Sequence, residues 1–314
     1  MTVLAIDVAG QRLAAGMVGA DGRLSCARTA AVPFGRGADA VWQALISLAQ
    51  AVVEDAGSPA LRGVGVDCGA WLEWPAGVVS PPAVPDWVDF PLGERLQERH
   101  PGVPVRLHAD ARCFAAAEHW AGAGNGSANL LGVVLDATVD GGLVLAGRLV
   151  DGGTGKAGGI GHLVVDPVGP VCPCGGIGCL DGVARSAAVL GWAREHGWVA
   201  GAVAGAPELA ASARAGDPVA SAALALAGTA VGIAISSTAA LLDLDLVVIG
   251  GGLAESGEIF FGPVRRAVQR HLCVPYGKRV EVLPSGLGRR AGLVGAAALV
   301  HRGDRYWSGD PVRL

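Results

Sequence analysis

The same local pattern opens both halves of the chain. At VLAID (3–7) and again at LLGVVLD (130–136) an apolar run ends in an aspartate, Asp7 or Asp136. A small-residue turn with glycine follows (Gly10; Gly141 and Gly142), then a second apolar run that exits through Gly-Arg-Leu (22–24 and 147–149). One strand-turn-strand match carries little weight, but its recurrence at the head of each half predicts two duplicated α/β domains facing one another. The intervening pattern agrees. Helical periodicity over 41–55, a strand GVGVD (63–67), a strand VRLHAD (105–110) and a helix over 111–120 follow the first head. LVVIGGG (246–252), a helix from about Pro263 to Leu272, RVEVL (279–283) and a helix near 290–300 follow the second. The expected domains are 1–120 and 121–314, with a C-terminal helix able to pack back on the first. A length of 314 residues, 51% of them hydrophobic, supports two cores.

Several function classes are excluded early. The net charge of −4 leaves no general electrostatic footprint for nucleic acid or an anionic membrane. Pro218–Leu242 is uncharged for long enough to raise a membrane span. Its Ala, Ser, Gly and Thr content, with Asp217 and Asp243 at its ends, predicts a buried helix instead. MTVLAIDVAG has no basic flank and an acid inside its apolar run, so a cytoplasmic protein without an export signal is expected. VSPPAVPDW (79–87) reads as an ordered surface loop.

The segment GHLVVDPVGPVCPCGGIGC brings His162, Cys172, Cys174 and Cys179 together on Gly- and Pro-rich turns. One imidazole and three thiolates make a closed tetrahedral zinc site, and with no open position the metal is expected to be structural.

That loop, together with GIGH (159–162), HADARCFAAAEHW around Asp110, and VVIGGGLAESGEIFFGPVRRAV (247–268), resembles the ROK family of repressors, open reading frames and kinases, along nearly the whole chain. The resemblance implies an actin-like, hexokinase-type fold of two α/β domains with a cleft between them and a zinc-bound loop at 162–179, commonly as a homodimer. It implies Asp110 as general base toward a sugar hydroxyl that attacks the γ-phosphorus of ATP. DNA-binding members place a helix-turn-helix ahead of the first strand. Here the strand begins at Val3, so a repressor is not expected.

Departures from the family pattern are concentrated in two places. The first phosphate turn, Asp-x-Gly-Gly-Thr-Lys in the family, stands here as Asp7-Val8-Ala9-Gly10-Gln11-Arg12. The second, Gly-Thr-Gly-Ile-Gly-Gly-Gly, stands as Asp136-Ala137-Thr138-Val139-Asp140-Gly141-Gly142. Two carboxylates in a loop that presents amides to a polyanion are expected to cost several kcal/mol in a closed site, on the order of the Coulomb energy at lowered dielectric. On the sugar side, Ala83 and Ala109 replace hydroxyl-binding asparagines, Gly159 replaces a glutamate, and the carboxylate after the last zinc cysteine survives as Asp181. Trp71, Trp74 and Trp87 fall in segments that line the site in relatives.

These readings assign Asp110 as catalytic residue. They assign His162, Asp181, Gly159, Ala109, Trp71 and Trp87 to the substrate. Asp7, Gly10, Asp136, Thr138, Asp140, Gly141, Gly250, Gly251 and Gly252 form a degenerate nucleotide site, and His162, Cys172, Cys174 and Cys179 hold structural zinc. The favoured expectation is an enzyme repurposed away from ATP-dependent hexose phosphorylation, with MgATP not bound in the ordinary way. Asp110 then serves as general acid or base on a modified small molecule, sugar-derived or cyclic. The alternatives are an ATP-dependent kinase of an atypical sugar or carbasugar, and a non-catalytic ligand-binding relative.

Overall fold

In the computed structural model, which describes residues 1–69, 71–199, 201 and 204–309, the first head folds as β1 (Thr2–Ala9), β2 (Arg12–Val18) and β3 (Leu24–Ala31). After α1 (Ala38–Asp55) come β4 (Leu61–Cys68), a small hairpin of β5 (Trp71–Glu73) and β6 (Val78–Ser80), α2 (Leu92–Arg99), β7 (Val105–Ala109) and α3 (Asp110–Ala121). The second head folds as β8 (Leu130–Leu135), β9 (Val139–Leu145) and β10 (Arg148–Val150). It is followed by α4 (Leu180–Ala184), α5 (Ser186–Glu195), α6 (Ala206–Arg214), α7 (Pro218–Leu242), β11 (Leu246–Gly250), α8 (Glu258–His271) and β12 (Glu281–Pro284). Helices α9 (Ala291–His301) and α10 (Gly303–Tyr306) complete the chain's described elements. The sheets are ordered β3-β2-β1-β4-β7 and β10-β9-β8-β11-β12. Counted in chain order, both read third, second, first, fourth, fifth, which is the duplication that the two heads predict.

Strand alternation decides what each face of the first sheet touches. Leu4, Ile6 and Val8 of β1 join Val64, Val66 and Cys68 of β4 in one core with α1 and α2. Val3 and Ala5 face the other way, onto Leu293, Ala296, Ala297 and Val300 of α9. A Cβ at Gly65 would strike the Ala296 carbonyl, and one at Gly295 the Cys113 carbonyl, so α9 settles against β4 and α3 at distances only glycine permits. Glu118, fully buried, anchors the returning chain: its carboxylate accepts the N–H groups of Ala123 (2.8 Å), Gly286 (3.1 Å) and Leu287 (3.1 Å).

Packing gathers Met1–Gly126, Gly142–Ala157 and the chain from Gly286 onward into one unit, and Ser127–Gly141 with Gly158–Ser285 into another. The linear cut at 120/121 is therefore too simple, because the chain crosses back twice. In the second unit α7 is the long apolar helix. It meets the length and composition of a membrane span, yet 61% of its apolar window is buried, packed against α6 and α8. Its start follows from local chemistry: Asp217 Oδ1 accepts the N–H groups of Val219 and Ala220 at 2.9 Å, and Pro218 needs no donor there.

Two expectations change. Helix α8 begins at Glu258, with Pro263 in its interior rather than at its start. The stretch 79–87 is not a surface loop throughout, since Val79, Val84 and Trp87 are buried in the first core.

Candidate active site and metal centre

The parallel strands of the first unit deliver acids at their C-terminal ends, where open α/β sheets commonly hold ligands. Asp7 of β1 and Asp67 of β4 are register partners, both 4% exposed. They lie on the α9 face: a Cβ at Gly292 would sit 2.7 Å from Asp67 Oδ2 and 3.0 Å from Asp7 Oδ2. The Oδ1 atom of each is buried without a hydrogen-bond partner among the described residues. Arg12 Nη2 stands 3.5 Å from Asp7 Oδ2. Burial raises Asp7 from 3.8 to about 6 against the pull of Arg12. Burial, then the charges of Asp7 and Asp110, push Asp67 well above the carboxylate range. Asp67 escaped the sequence reading, although the signal that singled out Asp7 and Asp136, an apolar strand ending in aspartate, is present in GVGVD.

Asp110 is the first residue of α3. Its Oδ1 accepts the N–H of Ala111 at 2.8 Å, and its Oδ2 points toward Gly69, where a Cβ would lie 3.5 Å away. The backbone just before it is fixed by a buried network. His108 Nδ1 accepts the Ala109 N–H at 2.9 Å, so Nε2 carries the proton and donates to Asp151 Oδ1 at 2.9 Å. Asp151 Oδ2 in turn accepts from Ser308 Oγ at 2.5 Å. Trp74 stacks on the His108 ring with centroids 6.0 Å apart. Ala109 is 8% exposed, and Trp71 is 69% exposed with Lys156 Nζ 4.4 Å from its ring centroid. Gly10 adopts φ +57°, with nothing within 4 Å of where a Cβ would be. Trp87 departs from its expected place beside a ligand: it is 1% exposed, stacks on Phe90 at 4.4 Å, and donates Nε1–H to the Ala38 carbonyl at 3.1 Å. It is a core residue.

In the second unit the turn 136–138 follows β8. Asp136 is exposed and its Oδ1 accepts the Gly252 N–H at 2.8 Å. Asp140 Oδ1 accepts the Gly141 N–H at 2.8 Å. The Thr138 carbonyl accepts the Asp136 N–H at 3.2 Å. Gly250 ends β11, and Gly251 turns at φ +92°, where a Cβ would run into the Leu135 backbone. Asp136 thus binds an amide of the turn after β11 and Asp140 the amide of its neighbour Gly141, with Asp136 in contact with solvent. A unit charge 4 Å away interacts with such a group by about 1 kcal/mol in water and about 4 at the dielectric of a protein surface. The expected penalty of several kcal/mol rested on a low dielectric that an exposed Asp136 does not have.

The metal donors of the second unit converge: the ligand atoms of His162, Cys172, Cys174 and Cys179 all lie within 4.8 Å of one another. Cys174 and Cys179 Sγ are 3.8 Å apart, the edge of a tetrahedron built on Zn–S bonds of about 2.3 Å. Cys172 Sγ and His162 Nδ1 are 3.9 Å apart. The Gly176 N–H, followed by Cys172, holds the Cys174 thiol down to about 7, whereas burial and Cys174 lift Cys179 to about 11. The donor set fits zinc. Gly159 leads into the short 3₁₀ turn Ile160–His162. Asp181 is 5% exposed, and its Oδ1 accepts the Val139 N–H at 2.7 Å, so one carboxylate oxygen expected for substrate braces the start of β9.

The ROK family model matches residues 3–303. The chain belongs to the ROK family. It is 31% identical to the glucokinase of Thermotoga maritima over 312 residues, covering 96% of this chain and 97% of that protein. It is 32% identical to the N-acetylmannosamine kinase of Escherichia coli over 301 residues, covering 95% and 98%. The structure of a ROK family glucokinase from Streptomyces griseus, in complex with glucose and AMPPNP, superposes with a TM-score of 0.79 at 28% identity, covering 96% of this chain and all of that one. The fold is accordingly the actin-like, hexokinase-type α/β fold. These likenesses correct the functional expectation. Relatives matched over nearly their full length are sugar kinases, which overturns the reading of an enzyme that has abandoned phosphorylation, and with it the expectation against MgATP.

Proposed function

We propose that this ROK protein transfers the γ-phosphoryl group of ATP to a hydroxyl of a sugar. The observation that carries the proposal is the match along nearly the whole chain to glucokinases and an N-acetylmannosamine kinase, with Asp110 retained at the end of β7 on a backbone held by His108 and Asp151. In this reading Asp110 accepts the hydroxyl proton and orients the oxygen for in-line attack. Asp7, Gly10, the 136–142 turn and Gly250–Gly252 serve MgATP as substrate. His162, Cys172, Cys174 and Cys179 hold zinc, which supplies no chemistry and stiffens the loop that carries Gly159 and Asp181.

The sugar is an atypical one. Ala83, the buried Ala109 and Gly159 remove three polar side chains from the sugar side, and exposed Trp71 offers an aromatic face. A substrate with fewer hydroxyls along that edge, a deoxysugar or carbasugar, leaves no buried polar group unpaired. A cytoplasmic setting agrees with ATP use and with seven cysteines in no disulfide. The homodimer that the resemblance implies belongs to the same proposal and is read by light scattering. The test is ADP release from MgATP across glucose, mannose, their N-acetylamino forms, deoxysugars and carbasugars. Sugar-dependent release, faster with the hydroxyl-poor members, is expected; release that no sugar stimulates would sink it.

A further inference from the structure

Phosphotransfer as proposed gives Asp110 its task but leaves Asp67 without one. Asp67 is buried, faces Asp7 in register across adjacent parallel strands, and has an oxygen with no partner among the described residues. The groups carried by the elements packed on it are Asp7 from β1, with Arg12 of β2 behind it; Asp110, Arg112 and Cys113 from α3; Cys68 from its own strand; and His108 from β7, its register partner. Helix α9 brings Gly292 against both carboxyls, together with the partial positive charge of its first turn. Arg12, whose side chain is 42% exposed, stands 3.5 Å from Asp7 Oδ2, on the far side of Asp7 from Asp67's own strand. Two carboxylates side by side in a buried space do not both ionise readily.

We propose that Asp67 keeps its proton at neutral pH inside the Asp7–Asp67 pair, and so acts as a positioning residue that limits the negative charge around Asp110 while the sugar and MgATP approach. Once Asp67 ionises at alkaline pH, three adjacent anions repel the γ-phosphate and phosphotransfer falls. The direction of the titration agrees: burial raises Asp67 well above its ordinary value, and the same carboxylates help burial raise the Cys68 and Cys113 thiols. The inference rests on the kinase reading for its rate consequence, but not for the proton itself.

Asparagine is the uncharged isostere of a protonated aspartate, so Asp67→Asn is the decisive variant. The parent's kcat/KM for ATP is expected to fall about tenfold per pH unit beyond the ionisation of Asp67. Asp67→Asn is expected to hold the neutral-pH rate within about threefold and to lose that alkaline limb. An unchanged limb in the variant, or a folded variant at least a hundredfold slower at neutral pH, about 2.7 kcal/mol, overturns the proposal. If Asp67→Asn does not fold, Asp67→Ser and the infrared C=O band of protonated carboxyls in the parent replace it. A band that persists at neutral pH and vanishes in Asp67→Ser supports the proton, and its absence from the parent overturns it. This spectroscopic arm needs no turnover, so a parent that phosphorylates no sugar defeats the kinase reading alone.

Discussion

Asp7 lies near the end of β1 and Asp136 directly follows β8, the first strands of matching sheets, yet their surroundings are opposite. Asp7 is buried to 4% exposure with an unpartnered Oδ1 and a second acid at its side. Asp136 is exposed and accepts an amide hydrogen from the turn after β11. The same residue type near the end of the first strand is thus a store of electrostatic strain in one unit and a solvated brace in the other. The difference teaches that the charge of a loop residue says little about ligand binding until its burial is known. An exposed carboxylate beside a phosphate is a modest obstacle, whereas a buried pair must keep a proton.

Four substitutions come first, one of them read by metal analysis. Asp110→Asn is expected to lower kcat by about 10²–10⁴-fold, the range of lost general-base catalysis, with KM for ATP little changed in steady-state assays. An Asp110→Asn variant with parental kcat would detach the acid cluster from the chemistry. Cys172→Ser removes one of four zinc donors, and metal analysis should find stoichiometric zinc in the parent and traces in the variant. Trp87→Ala empties a buried site and should cost about 3–5 kcal/mol in denaturant unfolding, while Trp71→Ala, on the exposed side, should stay within about 0.5 kcal/mol.

The buried acid has a pH signature. Because Asp7 is raised from 3.8 to about 6, its folded form favours the proton. The associated stability is complete below its unfolded value and is lost as pH climbs through about 6. The loss is on the order of 3 kcal/mol. Unfolding free energies of the parent relative to Asp7→Asn, measured from pH 4 to 7, should diverge in that direction; a constant difference would show that Asp7 is not strained. The exposed acid gives a small effect. Asp136→Gly should improve KM for ATP about fivefold, the equivalent of about 1 kcal/mol for one solvated charge.

Much of this is legible in the sequence. The duplicated heads follow from apolar runs and glycine turns, which are local properties. The zinc donors are legible because ligand chemistry demands particular residue types at close spacing. The buried nature of α7 follows from its small residues and acidic ends. What lay hidden depends on packing between distant segments. The return of 142–157 follows from the close seat of Gly142 on Ala111 and from the His108–Asp151 bond, and that of the chain after Gly286 from the close seat of α9 on Gly65 and from the amides gathered by Glu118. Neither has a periodic signature. Trp87 sits in a Pro-rich stretch that looks like surface, and only its stacking on Phe90 reveals it as core. Asp136 and Asp140 look in sequence like anions facing a phosphate, because their bonds to Gly252 and Gly141 cannot be read from a linear chain. Asp67 carries a local signal, the end of the apolar run GVGVD, but its pairing with Asp7 is set by the sheet.

The claim on which the rest depends is that a sugar hydroxyl is the acceptor and Asp110 its base. Mass spectrometry of sugar recovered after incubation with MgATP tests it directly, with parent and Asp110→Asn side by side. The account predicts a sugar carrying one added phosphoryl group from the parent and at most about a hundredth as much from the variant at equal time. Unmodified sugar from a zinc-loaded, folded parent, or equal product from both proteins, would contradict it.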